Sequence, residues 1–368
     1  MVTITDVAKQ AGVSPVTVSR VVNNTDYVSA KTREKVEKAI VDLGYIPSAM
    51  ARGLRINRTY TLALILPDIT NVFWTTVARG AEDAAQINNY SVLFYNVDED
   101  LKKQERALDT VLSQQVDGVM IAPHEAQIKQ LHRLLIRDVP VVVVDRRLDV
   151  STAENSIDFV RSDSVSGAKA LTEHLIHLGH RKIAMLSGNP STSTAEDRLL
   201  GYRLALEEAG IAYDEQLVLY KEYRVASGEQ LAHQLLERQV EFTAVFAGNN
   251  AIGTGAVREL LRREFRIPED VALVAFDDYQ YAGEYFPFFT VVAQDAYQLG
   301  FKAVELLMAR IKGEHQDSQE IILPSQLVVR YSCGARIDSL GHSALSLPLV
   351  PVNEFKELRS EIDPLPGN

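Results

Sequence analysis

The hydrophobic rhythm of this 368-residue chain changes near residue 60. Before that point, apolar residues recur three and four apart in short runs that end at glycine. The stretch TDVAKQAGVSPVTVSRVVNN, residues 5–24, holds two such runs. Val7, Ala8 and Ala11 share one face of a first helix. Thr5 can cap it, and Gly12 can end it because glycine enters the left-handed conformation cheaply. Ser14 can cap a second helix with Pro15 at its first position, where a missing N–H costs nothing. Val18, Val21 and Val22 give that helix an inward stripe, leaving Val16, Thr17, Ser19, Arg20 and Asn23 outward. Ser29 can cap a third helix reaching Leu43, with Val36, Ala39, Ile40 and Leu43 at helical spacing and Gly44 closing it. From Thr61 onward the pattern becomes short β-rich runs separated by amphipathic stretches.

Three short helices, two of them joined by a tight glycine turn, suit a helix-turn-helix module. A small helical cap on an enzyme has the same outline. The outward face is basic and hydroxyl-rich, which favours a DNA-binding head over a cap. The next segment, PSAMARGLR at 47–55, carries Ala49, Met50, Ala51 and Leu54 after a capping Ser48. One or two helical turns are not stable alone in water, so on its own pattern the segment reads as a linker.

In the body, strand-like runs fall at 62–67, 91–96, 117–122 and 139–145. After Asp163 the series restarts at 182–188, 243–248 and 270–276. Helical stretches at 77–88, 101–115, 165–178, 197–209 and 252–264 lie between them. Strand–helix alternation in two rounds predicts an α/β body of two Rossmann-like lobes behind an all-α head.

Charge sharpens this division. Residues 1–58 hold nine lysines and arginines against five acids, a net of +4, while the whole chain carries −11. A small basic head on an acidic body points to a polyanionic partner for the head alone. The single cysteine, Cys333, excludes an internal disulfide framework. Neither an export leader nor a run of 18 apolar residues is visible, so no membrane partner and a cytoplasmic location are expected.

Ligands of parallel sheets bind where strands end in loops. Here those loops are PDITNVFW (67–74), DRR (145–147), SGNPSTSTAEDR (187–198), GNN (248–250), FDD (276–278) and AQD (293–295). Carboxylates, amides and arginine beside aromatic faces suit a sugar's paired hydroxyls and its flat C–H surface. A purine could use several of the same groups, so the chemistry leaves both open.

Enzyme signatures are missing: no G-x-S-x-G, H-E-x-x-H, phosphate-loop or dinucleotide spacing occurs. His174, His177 and His180 gather at a helix end and read as end partners rather than a metal site. No catalytic residue, metal or cofactor is expected. A plain solute-binding protein would fit the body but not the basic head.

The first 58 residues, with DVAKQAGVS, TVSRVVNN, VSAKTREKVE and LGYIP, resemble the DNA-binding head of the lac repressor family of bacterial regulators. The resemblance implies base reading by Pro15 and Val16, which lack hydrogen-bonding side chains and must read by apolar contact. It implies DNA contacts by Thr3, Ser14, Thr17, Ser19, Arg20, Asn23, Tyr27, Ser29 and Thr32. It also implies a hinge helix that forms on DNA, with Ala51 at the pairing surface and Leu54 entering the minor groove. The body resembles the same family through FVRSDSVSGAKALTEHLIHLGHRKIAMLSG, PDITNVFW and IPEDVALVAFDD, up to about Cys333. The implied fold is that of periplasmic sugar-binding proteins. By position, the implied effector residues are Asn71, Phe73, Asp145, Arg146, Thr194, Arg198, Tyr223, Asn249, Asp277 and Gln294, with Arg198 and Asp277 expected to face each other across the cleft.

The implied organisation is a head at 1–46, a hinge and linker at 47–59, and an effector domain at 60–335. Its N-lobe takes 60–160 and 291–322; its C-lobe takes 161–290 and 323–335. The implied protein is a repressor working as a homodimer on double-stranded operator DNA. A sugar or related metabolite controls it, and some members also use a phosphocarrier partner. A purine-responsive regulator of the same fold is the alternative. Residues 336–368 lie beyond the resemblance and show no leucine heptad, which leaves a docked strand, a loop or disorder.

Overall fold

The computed structural model describes residues 2–25, 27–46, 58–124, 131–148, 157–278 and 288–336, with the backbone of 347–348. Ala51 and Leu54 lie outside these residues. The chain divides into two compact units, residues 1–59 and 60–368.

The first unit is a trihelix: α1 (Ile4–Ala11), α2 (Pro15–Asn23) and α3 (Ala30–Leu43). Val7, Ala8, Ala11, Val18, Val21, Val36 and Ala39 form its core. Gly12 sits in left-handed backbone at φ 66°, and Ser14 caps α2 with Pro15 at its start. The first cap is Thr3 rather than Thr5. The reason is a reciprocal box: Asp6 N–H donates to the Thr3 hydroxyl at 3.4 Å, and Thr3 N–H donates to Asp6 Oδ2 at 2.9 Å.

The second unit holds two sheets built to one plan. In the first, β1 (Thr61–Leu66), β2 (Ser91–Asn96), β3 (Gly118–Ile121), β4 (Val141–Val144) and β5 (Ile157–Ser162) lie in the order β2-β1-β3-β4-β5. In the second, β6 (Ile183–Ser187), β7 (Val218–Tyr220), β8 (Ala244–Ala247), β9 (Ala272–Phe276) and β10 (Thr290–Ala293) repeat it as β7-β6-β8-β9-β10. All these pairings are parallel. Late strands complete each sheet: β11 (Glu320–Leu323) lies beside β5, and β12 (Gln326–Val328) runs antiparallel to β10.

Helices cover both faces of each sheet. On the first, α4 (Val72–Ile87) and α5 (Leu101–Gln114) lie on opposite sides, joined by α6 (Leu131–Leu135) and α11 (Ala296–Lys312). Leu62, Leu64 and Leu66 of β1 pack with α4 and α11, while Ala63 and Ile65 pack with α5 and α6. That split follows from the two-residue period of a strand. On the second, α7 (Ser164–His177) and α8 (Ser193–Glu208) oppose α9 (Val225–Glu237) and α10 (Asn250–Arg262). The sequence pattern leaves α6, α9 and α11 unassigned.

The sheets correct the expected lobe limits. Residues 291–293 lie in the second sheet, because Thr290 and Val291 pair with Val274 and Ala275 of β9. β5 belongs whole to the first sheet through Ser162, and β11 through Leu323. The chain therefore crosses between lobes after Ser162, Ala293 and Leu323. In the tail, residues 347–348 form a short strand, β13, antiparallel to β12.

Candidate functional site

In the head, α2 turns Pro15, Val16, Ser19, Arg20 and Asn23 into one outward arc, opposite buried Val18 and Val21. Val16 is 60% exposed. Asn23 Nδ2 donates back to Ser19 O at 2.8 Å, which fixes the amide along the helix. Thr17 lies at the arc's edge. Its N–H donates to the capping Ser14 Oγ, and the two hydroxyls sit 2.9 Å apart. Ser29 and Thr32 repeat this arrangement at the start of α3. Thr3 caps α1. Tyr27 stands almost fully exposed between α2 and α3.

In the body, the ends of strands from both sheets meet at one cleft. Asp68, Asn71, Phe73 and Trp74 come from the loop after β1 and the first turn of α4. Glu99 follows β2, and Asp145 and Arg146 follow β4. From the second lobe, Thr194 and Arg198 come from α8, Tyr223 follows β7, Asn249 follows β8 and Asp277 follows β9. Nine of the ten residues proposed from sequence line this one cleft. Gln294, after β10, lines the adjoining recess with Phe73 and Asp278, and its amide donates to Asp277 Oδ1. Sequence reading did not single out Asp68, Trp74 and Glu99. Asp68 and Trp74 lie inside the PDITNVFW loop, so that loop was the available signal.

Arg198 is the centre of the second-lobe wall. Its guanidinium lies 3.9 Å over the Phe276 ring and 5.5 Å from the Tyr223 ring centroid. Its Nη1 donates to Gly248 O at 2.6 Å, and Nη2 is 3.8 Å from Asp277 Oδ2. Tyr223 fits because Gly188 has no Cβ: one would stand 2.2 Å from the ring. Arg198 and Asp277 both belong to the second lobe, so they do not face each other across the cleft as expected. The aspartate opposite is Asp145. The expected C-lobe limits, 161–290, already place both residues on one wall.

The first-lobe wall carries its own ion pair. Glu99 accepts from Arg146 Nη1 at 3.0 Å and from Nη2 at 2.5 Å, and His124 Nδ1 sits 2.9 Å from Glu99 Oε2. Burial pushes the Glu99 carboxyl up, but Arg146 and the hydrogen bonds from His124 and Arg146 outweigh it and hold it at about 2. Asp145 goes the other way. Burial raises it to about 6 against the pull of Arg198, with the neighbouring Asp277 charge adding to the rise. Burial likewise raises Asp277, opposed by Arg198 and the Gln294 amide. Asp145 Oδ1 is buried and meets no hydrogen-bond partner among the described residues.

Direct contacts join the lobes around this cleft. Arg147 donates to Glu196 Oε2 at 2.9 Å and to Asp197 Oδ1 at 2.7 Å, and its N–H donates to Ser193 Oγ at 2.8 Å. Arg224 Nη2 donates to Asp98 O at 2.6 Å. Asn250 Nδ2 lies 3.4 Å from Asn71 Oδ1. The lobes are closed, and the cleft between them leaves about 20 Å³ of room, enough for about one water. A sugar-sized guest therefore requires the lobes to part.

Two family models match the chain. Residues 59–331 match periplasmic binding proteins and the sugar-binding domain of the LacI family, and residues 3–48 match bacterial regulatory proteins of the lacI family. The HTH-type transcriptional regulator DegA of Bacillus subtilis (strain 168) is 34% identical over 334 residues, 90% of this chain and 97% of its own. Among solved structures, the transcriptional regulator CelR in complex with cellobiose aligns with a TM-score of 0.69 at 34% identity. That alignment covers 90% of this chain and 100% of the other. The lac repressor dimer bound to operator and the anti-inducer ONPF aligns with a TM-score of 0.77 at 28% identity, covering 91% and 99%.

Proposed function

This chain belongs to the LacI family of bacterial regulatory proteins, and from that premise we propose that it is a cytoplasmic transcriptional repressor without catalytic activity. A homodimer places two trihelices on a pseudo-palindromic operator, and a sugar bound between the lobes sets its affinity for that DNA. The observation that carries this reading is the pairing, in one chain, of an outward α2 face with a polar, aromatic-walled cleft at the strand ends of two lobes.

The roles follow from chemistry. Pro15 and Val16 offer apolar contact to thymine methyl groups, while Arg20 and Asn23 offer donors to phosphate or base edges. Thr3, Ser14, Thr17, Ser19, Ser29 and Thr32 supply hydroxyls and helix starts to the backbone, beside Tyr27. Ala51 and Leu54 take the hinge roles that the family resemblance gives them. In the cleft, Asp145, Asp277 and Asn249 accept or exchange hydrogen bonds with hydroxyls, Arg146 and Arg198 donate, and Phe73 and Tyr223 present flat faces. Asn71, Thr194 and Gln294 hold the surrounding turns. Parting and closing of the lobes at three crossovers alters whether two hinges can pair, so DNA and effector affinities are reciprocally coupled.

The test is selection of preferred duplexes from a random pool by the full chain, followed by thermal-shift screening with sugars and nucleobases. Recovery of a palindromic site and stabilisation by a sugar supports the proposal. Recovery of no preferred sequence contradicts the repressor role, and stabilisation by nucleobases alone replaces the sugar with a purine.

A further inference from the structure

The cleft's charge narrows the effector further, on the reading that this cleft is the effector site. Four carboxyl groups line it, those of Asp68, Glu99, Asp145 and Asp277, against two guanidinium groups, those of Arg146 and Arg198. The first guanidinium is already engaged. Glu99 grips both Arg146 terminal nitrogens, and Arg146 also donates to Pro123 O at 2.9 Å. Arg198 is left to serve two carboxylates, Asp277 at 3.8 Å on its own lobe and Asp145 across the cleft. The cleft thus has an acid excess of two groups, and both aspartates are buried, so solvent screens them weakly.

Hydrogen-bonding capacity calls for a group that both donates and accepts. An ionised carboxylate only accepts. Asp145 Oδ1 is buried, borders the cleft and meets no donor among the described residues. It calls for a hydroxyl or an amine, while Arg146 Nε and Arg198 Nε, also buried without a partner among the described residues, call for an acceptor; a sugar hydroxyl serves both. A phosphate at neutral pH offers acceptors alone, leaves Asp145 Oδ1 unmet and adds negative charge to the acid excess.

Helix starts, which favour anions, do not reverse the balance. Asn71 Oδ1 occupies the start of α4 by accepting Phe73 N–H at 3.0 Å, and Asn249 Oδ1 does so for α10 by accepting Ile252 N–H at 2.8 Å. The start of α8 has no side-chain cap, but Glu196 in its first turn and Asp197 next to it, both held by Arg147, already place acids there.

We propose that the effector is a sugar without phosphate or carboxylate groups, whose hydroxyls or amine donate to Asp145 from the first lobe and Asp277 from the second. A sugar of this kind bridges the two carboxylates and draws the lobes together. A phosphorylated sugar is rejected by the cleft's own acids.

The experiment is calorimetric titration of the full-length protein with matched pairs: ribose and ribose 5-phosphate, glucose and glucose 6-phosphate, glucosamine and glucosamine 6-phosphate, together with cellobiose, hypoxanthine and guanine. The expected result is at least one unphosphorylated sugar that binds, with its phosphate ester at least 100-fold weaker. The Asp145→Asn variant should narrow that ratio by removing part of the repulsion. A phosphate ester that binds as tightly as its parent sugar overturns this inference while leaving a sugar-controlled regulator standing. Binding of nucleobases alone, or of no sugar in either arm, overturns the sugar reading and this inference with it.

Discussion

Asp145 and Asp277 occupy the same place in the two lobes. Each follows the fourth strand of its sheet in left-handed backbone, at φ 65° in both. Each donates its N–H to the fifth strand, Asp145 to Val160 O at 2.8 Å and Asp277 to Val292 O at 3.0 Å. The repeated fold thereby aims one carboxylate from each lobe into one cleft. Aspartate tolerates this backbone better than most residues, and left-handed residues held by surrounding structure cluster at functional sites.

Asp145 therefore carries a cost when nothing donates to it. Its folded-state value of about 6 lies above the unfolded 3.8, so the native chain holds a proton more tightly. Stability contributed by that proton is present at low pH and is lost as pH rises from about 4 to about 6. At pH 7 the penalty is on the order of 1–3 kcal/mol. Asp145→Asn should raise the melting temperature of the ligand-free protein at pH 7 by several degrees while weakening the effector response. Thermal unfolding at pH 5 and 7 checks this, and the gain should shrink at the lower pH.

Glu99 has the opposite sign. Its carboxyl is held at about 2, below the ordinary 4.5. Its contribution is present above pH 4.5 and is lost as pH falls toward 2. Glu99→Gln leaves Arg146 buried without its counter-ion and should cost about 3 kcal/mol at pH 7. Urea unfolding should show the gap between wild type and variant closing below pH 4.

Arg147 binds Glu196 and Asp197 of the opposite lobe. Arg147→Ala should favour parted lobes, giving a larger radius of gyration in solution scattering and roughly tenfold weaker effector binding, about 1.4 kcal/mol. Operator preference should not change, because the variant leaves the head intact.

Val16 is the exposed apolar residue at the start of α2. Val16→Gln should move the preferred base at one step of each half-site toward adenine, since the amide pairs with adenine's major-groove edge, at about 1–3 kcal/mol of discrimination. Duplex selection with both proteins reads this directly. The fall of affinity with salt should stay equally steep, because Val16 releases no counterions.

The head was legible because caps are written locally: Gly12, Ser14, Pro15, Ser29 and Gly44 each act within a few residues. The one slip, Thr5 for Thr3, came from missing the acid three positions after Thr3 that closes the box. Cleft residues were legible where loops follow strands. Glu99 was not, since its role depends on Arg146, 47 residues away. Nor does sequence order reveal which sheet a crossing strand joins. That is why 291–293 is expected in the first lobe although it pairs with β9.

The most direct measurement is the affinity of the full-length protein for its selected operator duplex, by fluorescence anisotropy, with and without the sugar that stabilises it. The account predicts a change of at least tenfold, mirrored by an equal change in sugar affinity when operator is present. It predicts that Arg198→Ala abolishes that change while retaining operator binding. Equal operator affinity with and without bound sugar would contradict it.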